Sequence, residues 1–364
     1  MPDIFDPISN KLADNQRLTD EDALVLFECD DVIRIGEMAN AVREKIHAKK
    51  TYYIVNRHID YSNICVLSCK FCAFARKPGE SGARPATGAF EHSIDDIVGK
   101  VQTGLLRGIT EVHIVGGFHP THPWEFYTGM LKAIKKEAPA LHIKAFTAAE
   151  IRYFSKKFRM PEEEILILLM EAGLGSLPGG GAEILAPEVR KEICGPKGPA
   201  EFWLETHRRA HQLHLRSNAT MLYGHIESFA DRVEHMRLIR QLQDETGGFL
   251  SFIPLSFNPK DTCYEDRGYT SGIDDLKTLA IARLYMDNIR HIKAYWVMSG
   301  LETAQLAQYF GADDMHGTVI EENITHMAGA LAPEDLPADR LCLLIREAGR
   351  VPVQRDSLYR EINQ

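Results

Sequence analysis

Residues 64–79 read ICVLSCKFCAFARKPG and place Cys65, Cys69 and Cys72 within eight positions. A closed tetrahedral zinc site takes four protein ligands, and a disulfide framework takes cysteines in pairs. A [4Fe-4S] cube presents four irons, each able to take one thiolate. Three closely spaced cysteines therefore leave one iron open, as a catalytic zinc keeps an open position for its substrate. The C-x3-C-x2-C spacing lets one short loop wrap a single cube. Polar Ser68 and Lys70 between the cysteines are unlike core packing, and a zinc site would need a fourth ligand such as His58 or a distant cysteine. The cluster reading is favoured over both. Cys29, Cys194, Cys263 and Cys342 are scattered singly, and an odd total of seven cysteines suits a reducing cytoplasm.

Working outward, the loop follows a β-branched run at 52–60, and similar runs recur near 111–116, 141–147, 175–179, 216–222, 249–255, 292–297 and 317–321. Helical patterns lie between them at 94–107, 123–138, 161–173, 200–213, 230–245, 273–289 and 301–310, with a further stretch near 323–330. Eight strands alternating with helices is the rhythm of a (β/α)8 TIM-type barrel, and a doubly wound open sheet is the competing arrangement. The expected division is an N-terminal helical extension over 1–50, with Thr19 as an N-cap, a barrel over 51–330, and a C-terminal helix and tail over 331–364. In a barrel the cysteine loop falls at a strand's C-terminal end, where such enzymes place their chemistry.

The 364 residues are 45% hydrophobic and 26% charged, with a net charge of −9. That balance argues against a nucleic-acid or acidic-membrane binder, though it leaves room for a local basic pocket. The start of the chain lacks a secretory signal pattern, and the apolar run Ile165–Met170 is too short to span a bilayer. A soluble, cytoplasmic protein is expected.

HIVGGFHP (113–120) ends the second strand with Gly116 and Gly117, where backbone can approach a ligand and leave amides or carbonyls free. GLGSLPGGGAE (173–183) fails the dinucleotide-loop spacing, because Pro178 stands where a third glycine is needed. It is read as a glycine-rich bend at the barrel mouth, with Ser176 and Glu183 as polar contacts. Polar residues recur at strand ends: His58, Asp60, Tyr61 and Asn63, then Glu150, Asn218 and His225. Lys144, Arg216 and Lys293 lie on strands as weaker candidates for binding carboxylates.

C-x3-C-x2-C with Phe71 just before the third cysteine resembles the radical S-adenosylmethionine (SAM) superfamily. The resemblance implies that Cys65, Cys69 and Cys72 ligate the cluster and that SAM chelates the open iron. The segment holding Gly116 and Gly117 would then bind the methionine amino group. With Phe71, Glu150, Ser176 and Asn218, these glycines form the expected cofactor-binding set, and His58, Asp60 and Tyr61 the expected catalytic set. Almost the whole chain further resembles the aminofutalosine synthase family of the futalosine route to menaquinone. The matching segments include NRHIDYSNICVLSCKFCAFAR, KAFTAAEI, SLPGGGAEIL, RSNATMLYGHIE, GADDMHGTVIEE and REAGRVPVQRDSLY. Dehypoxanthine futalosine cyclase and the deazaflavin-precursor synthases share parts of these.

What the family resemblance implies is adenosyl transfer to the aromatic dicarboxylate 3-[(1-carboxyvinyl)oxy]benzoate, giving 6-amino-6-deoxyfutalosine and methionine. It also implies an external electron donor such as flavodoxin or ferredoxin. Two substrate carboxylates call for a cationic or amide-lined pocket. A non-catalytic iron–sulfur carrier is the reading from another class, but carriers usually supply four ligands. A zinc-binding interaction module is a further reading from another class, separable by metal analysis.

Overall fold

The computed structural model describes residues 5–79 and 88–362. β1 (Lys50–Ile54) and β2 (Asn56–Asp60) run in one direction, interrupted at Val55, and together form the first barrel position. β2 pairs in parallel with β3 (Glu111–Val115), and β3 with β4 (His142–Ala145), in a register that aligns His58, His113 and Lys144. Single bridges Lys144↔Ser176 and Leu177↔Ser217 carry the ring across a very short fourth position to β5 (Ser217–Tyr223). β5 pairs with β6 (Phe249–Ser256), and β6 with β7 (His291–Ile292). Lys293↔Asp314 leads to β8 (Asp314–Gly317), which pairs with β1, and Arg57↔Ile320 closes the ring on β2. The barrel is closed, and the open-sheet alternative is set aside.

Helices occupy the expected stretches, with capping boxes at Ser93/Asp96 and Ser228/Asp231 that satisfy first-turn amides. Two helices, Ala148–Phe158 and Pro187–Cys194, were not expected. The first starts at a capping box, T-x-x-E at Thr147 and Glu150, which is the local signal for it. The expected strand at 292–297 stops early, because the chain turns into Trp296–Ser299 and the buried Trp296 indole donates to the Gly317 carbonyl at 2.9 Å. The eighth strand starts before its expected position at 317. Its first residue, Asp314, is buried against Arg355, so polarity hid it from a hydrophobic pattern.

Helix layer and strands share an apolar core that includes Val112, Ile114, Leu131, Ile143, Phe154 and Ile239. Inside the ring the lower layers are instead polar, in place of the branched aliphatic layers common in such barrels. Three N-terminal helices (Phe5–Ala13, Asp20–Glu28, Val32–His47) pack outside, the second capped by Thr19. Buried Arg43 ties the third to the barrel through the Ala48 and Ala312 carbonyls and the Thr51 hydroxyl. After the helix Ala338–Glu347, β9 (Val351–Gln354) pairs in parallel with β1. The chain then enters the barrel's lower end. Arg355 donates to Asp314 at 2.6 Å, and Tyr359 stacks on His291 with ring centroids 3.5 Å apart.

Candidate active site

At the C-terminal mouth of the barrel, main-chain bonds fix the cysteine loop. Cys65 N–H donates to Arg76 O at 2.9 Å, Val66 N–H to Phe118 O at 3.1 Å, and Lys70 N–H to Ile193 O at 2.9 Å. The Arg76 guanidinium gathers the carbonyls of Ala73, Phe74 and Ala75, closing the turn after the third cysteine. Cys65, Cys69, Cys72 and Phe71 all line one cavity of about 290 Å³. All three thiols are free of disulfides. Burial pushes the Cys69 thiol up to about 12, against the lowering pull of Lys197. Burial also raises Cys72. Three soft ligands on one wall, beside open space, fit a cluster held by three thiolates. Cys194 lies close enough to Cys69 to influence its charge, yet it does not line the cavity.

Gly116 and Gly117 line the same cavity, and the packing around them independently requires glycine at both positions. A Cβ on Gly116 would sit 2.6 Å from the Tyr61 ring, and one on Gly117 would overlap the Ile64 carbonyl. Both amides are already bonded: Gly116 N–H donates to Glu150 at 3.2 Å and Gly117 N–H to Ser62 O at 2.7 Å. These glycines let the cysteine loop lie against the second strand end. Glu150, third residue of its helix, accepts from Thr147 N–H, the Thr147 hydroxyl, the Tyr61 hydroxyl and Gly116 N–H. Burial raises its carboxyl to about 7, while those donors pull it down.

The opposite rim is the glycine bend. Gly179, Gly180 and Gly181 line the cavity, and a Cβ at Gly179 would meet the Ala219 carbonyl carbon at 2.7 Å. Glu183 and Lys197 also line it and form a buried ion pair, with the Lys197 ammonium 5.2 Å from the Phe71 ring centroid. Burial works against the Lys197 charge, but Glu183 outweighs it and holds the ammonium protonated.

Deeper in the barrel the lining changes to His58, His113, Lys144, His316, Asn218 and Tyr295. Lys144 pairs with Glu111 at 2.7 Å. Burial lowers His58 to about 4 and takes His113 and His316 well below the ordinary imidazole range. Asn218 accepts from the Ser251 hydroxyl at 3.0 Å.

Nine of the expected site residues thus share one cavity: His58, the three cysteines, Phe71, Gly116, Gly117, Glu150 and Asn218. Three do not line it. Tyr61 is sealed behind Gly116, with its hydroxyl 2.9 Å from Glu150. Asp60 is buried beside Asn323, whose amide donates at 3.2 Å; burial, then Glu322, raises its carboxyl to about 8. Ser176, the bridge partner of Lys144 on the neighbouring strand, is fully buried outside the cavity lining and bonds the His142 ring, two residues before Lys144, at 2.8 Å. Asn63 fastens the segment at Gly88 and Phe90, and His225 pairs with Glu227. Of the weaker candidates Lys144 points inward, Lys293 is buried below the cavity lining, and Arg216 is exposed and bonded to Gly247 O. His113, His316, Tyr295 and Lys197 are functional candidates that the sequence reading passed over. Alternation from Glu111 through His113 to Val115 was a usable signal for the first, whereas nothing local marks Lys197.

Comparison with known proteins bears on this arrangement. Residues 59–239 match the radical SAM superfamily, and residues 246–364 match the CofH/MqnC C-terminal region. Aminodeoxyfutalosine synthase of Thermus thermophilus is 46% identical over 360 residues, 98% of this chain and 95% of that protein. The Streptomyces coelicolor protein of the same name is 42% identical over 363 residues, 97% of this chain and 92% of that one. The crystal structure of methylornithine synthase (PylB) superposes with a TM-score of 0.76 at 17% identity, covering 95% of this chain and 97% of that one, which is a likeness of fold. A closed barrel carrying three thiols at its mouth over a sealed polar interior is the architecture of a radical SAM enzyme. Within that superfamily the chain belongs to the aminodeoxyfutalosine synthase family.

Among the described residues, no helix is long and apolar enough to cross a membrane.

Proposed function

We propose that the protein joins the 5′-deoxyadenosyl group of SAM to 3-[(1-carboxyvinyl)oxy]benzoate, with rearrangement and loss of one carboxylate, to give 6-amino-6-deoxyfutalosine and methionine. The observation that carries this reading is the single chamber that runs from three thiols to a buried polar floor. An electron carrier has no use for such a chamber, whereas an adenosyl transferase must hold two reactants in it. Cys65, Cys69 and Cys72 would hold a [4Fe-4S] cluster, leaving one iron for SAM. When bound, the cluster would supply the electron, drawn first from an external donor such as flavodoxin or ferredoxin, that splits SAM into methionine and a deoxyadenosyl radical; oxidation of the rearranged substrate radical releases one electron again, so the turnover is redox-neutral. The remaining work falls to the chain. Phe71, Gly116, Gly117 and the glycine bend at 179–181 shape the SAM end, and Glu150 braces it from behind through Gly116 and Tyr61. The enclosed apolar walls Leu222, Ile253, Leu255 and Met298 exclude water and align the alkene with the adenosyl carbon. On this reading residues 51–330 form the catalytic barrel, with 1–50 and 331–364 as packed extensions.

Anaerobic incubation of the reconstituted enzyme with SAM, a reductant and the substrate tests it by product mass. One adduct containing adenine, ribose and benzoate is expected, together with methionine and a one-carbon loss. Stoichiometric 5′-deoxyadenosine with consumption of dehypoxanthine futalosine would replace this reading with the cyclase reaction.

A further inference from the structure

The chamber floor contains polar groups that the protein itself does not satisfy. His316, His58 and His113 project from three neighbouring barrel positions, with ring centroids 6.0 Å apart between the first pair and 4.5 Å between the second. His58 Nε2, His113 Nε2 and both ring nitrogens of His316 are buried without a hydrogen-bond partner. His58 and His316 are 7% and 6% exposed. Leaving such a group buried and unsatisfied is destabilising, so a cluster of them in one wall marks a place that a polar ligand completes. Lys144 extends the same row, in register with His113 on β4.

The charged groups around this row also favour an incoming anion. Lys144, Lys293 and Arg355 are the buried basic side chains below and beside it; Glu111 pairs with the first and Asp314 with the last. Glu322 also lines the chamber and is matched by His326 at 3.3 Å, and Asp60 is held neutral by its burial up to about pH 8. Lys144 and Arg355 thus each have a carboxylate partner, and Lys293 has no ion pair of its own among the described residues. Burial, then Arg355, drives Lys293 well below its ordinary range, so an anion placed beside it would favour its charged form.

Distance supplies the third constraint. His113 lies three residues below Gly116 along the same strand, about 10 Å at the usual strand rise. That is the length of a benzoate ring with its carboxylate and one further substituent.

We infer that His58, His113, His316 and Lys144 form an anion seat that binds the ring carboxylate of an aromatic acid, orienting its other end toward the rim. This deepens the reading of the chamber as an adenosyl-transfer site and rests on it for the identity of the substrate. The imidazoles donate N–H bonds to the carboxylate oxygens, and Lys144 adds the nearest full charge. The carboxylate places a negative charge beside Lys144 and Lys293, which a neutral amide does not, so the seat discriminates a benzoate from its neutral amide.

Calorimetric titration of the reconstituted, SAM-loaded enzyme with benzoate and with benzamide tests this directly. Benzoate is expected to bind at least tenfold more tightly than benzamide, and His113→Leu to remove that preference while SAM affinity and cluster absorbance persist. If His113→Leu does not fold, His316→Leu, on the other side of His58, is the equivalent variant. Equal binding of benzoate and benzamide, or undiminished benzoate affinity in the folded variant, overturns the inference. Turnover of 3-[(1-carboxyvinyl)oxy]benzoate by the unmodified enzyme is measured alongside. Its absence with the benzoate preference intact would remove the functional reading and leave the seat standing.

Discussion

At the rim, main-chain hydrogen bonds from Cys65, Val66 and Lys70 fasten the cysteine loop to three separate segments, and glycines allow the close contact. At the floor, strands hold the backbone in an ordinary register and everything specific is done by side chains: His58, His113, His316 and the Lys144–Glu111 pair. The two regions fail differently. The rim is sensitive to bulk, because an added Cβ strikes backbone that cannot move without moving the cysteines. The floor is sensitive to charge, because buried ions and unpaired imidazoles sit side by side in it.

The largest expected effect lies at the rim. Cys69→Ala, and likewise Cys65→Ala or Cys72→Ala, is expected to abolish cluster absorbance and turnover, whereas Cys194→Ala and Cys342→Ala keep both. Iron content read beside activity checks this, and an iron-loaded Cys69→Ala protein would contradict the ligand assignment. Gly117→Val comes next. Because the new side chain overlaps the Ile64 carbonyl, it is expected to lower iron content as well as SAM affinity, and to destabilise the fold by about 1–3 kcal/mol. Normal iron loading with only SAM affinity reduced would mean that the glycine serves the ligand and not the loop.

Charge governs the third test. The Asp60 carboxyl is raised to about 8 by burial, so the folded state keeps its proton where the unfolded chain has lost it. Its contribution to stability is full below the ordinary carboxylate pKa and is lost as pH rises through about 8. Asp60→Asn, which mimics the neutral acid, is expected to flatten that fall and to exceed the unmodified protein in stability at pH 9 by a few kcal/mol. Urea unfolding at pH 5 and pH 9 reads the difference, and parallel pH profiles would place the Asp60 proton elsewhere. The smallest effect belongs to Ser176, outside the chamber. Ser176→Ala loses one bond to His142 and is expected to cost about 1 kcal/mol with an unchanged KM. A raised KM would return Ser176 to the cofactor-binding set.

The rim was more legible in the sequence than the floor, for physical reasons. Three thiols in one loop must be close whatever the fold, so Cys65, Cys69 and Cys72 could be read from spacing alone. Barrel rhythm likewise follows from local periodicity, which is why seven helices fell where expected. His58, His113, Lys144 and His316 follow one another in the chain at gaps of 55, 31 and 172 residues, and only ring closure brings them together. Glu150 was visible as a polar residue after a strand, but its role as a capping carboxylate needed the neighbouring Thr147 to be read with it. Asp314 was missed because a buried ion pair looks hydrophilic in sequence.

The C-terminal plug gives the chain a particular order of assembly. Arg355 and Tyr359 lie beyond all eight barrel positions in sequence, yet they neutralise Asp314 and cover His291 inside the ring. During synthesis the barrel strands emerge first, so the ring must remain ajar, or carry unpaired buried charge, until this segment arrives. Released chains truncated before residue 351 are therefore expected to be cut by protease within the barrel, and chains that include residue 359 to resist. An enzyme whose reactive mouth faces one way is thus sealed from the other by a segment that follows every barrel strand in sequence.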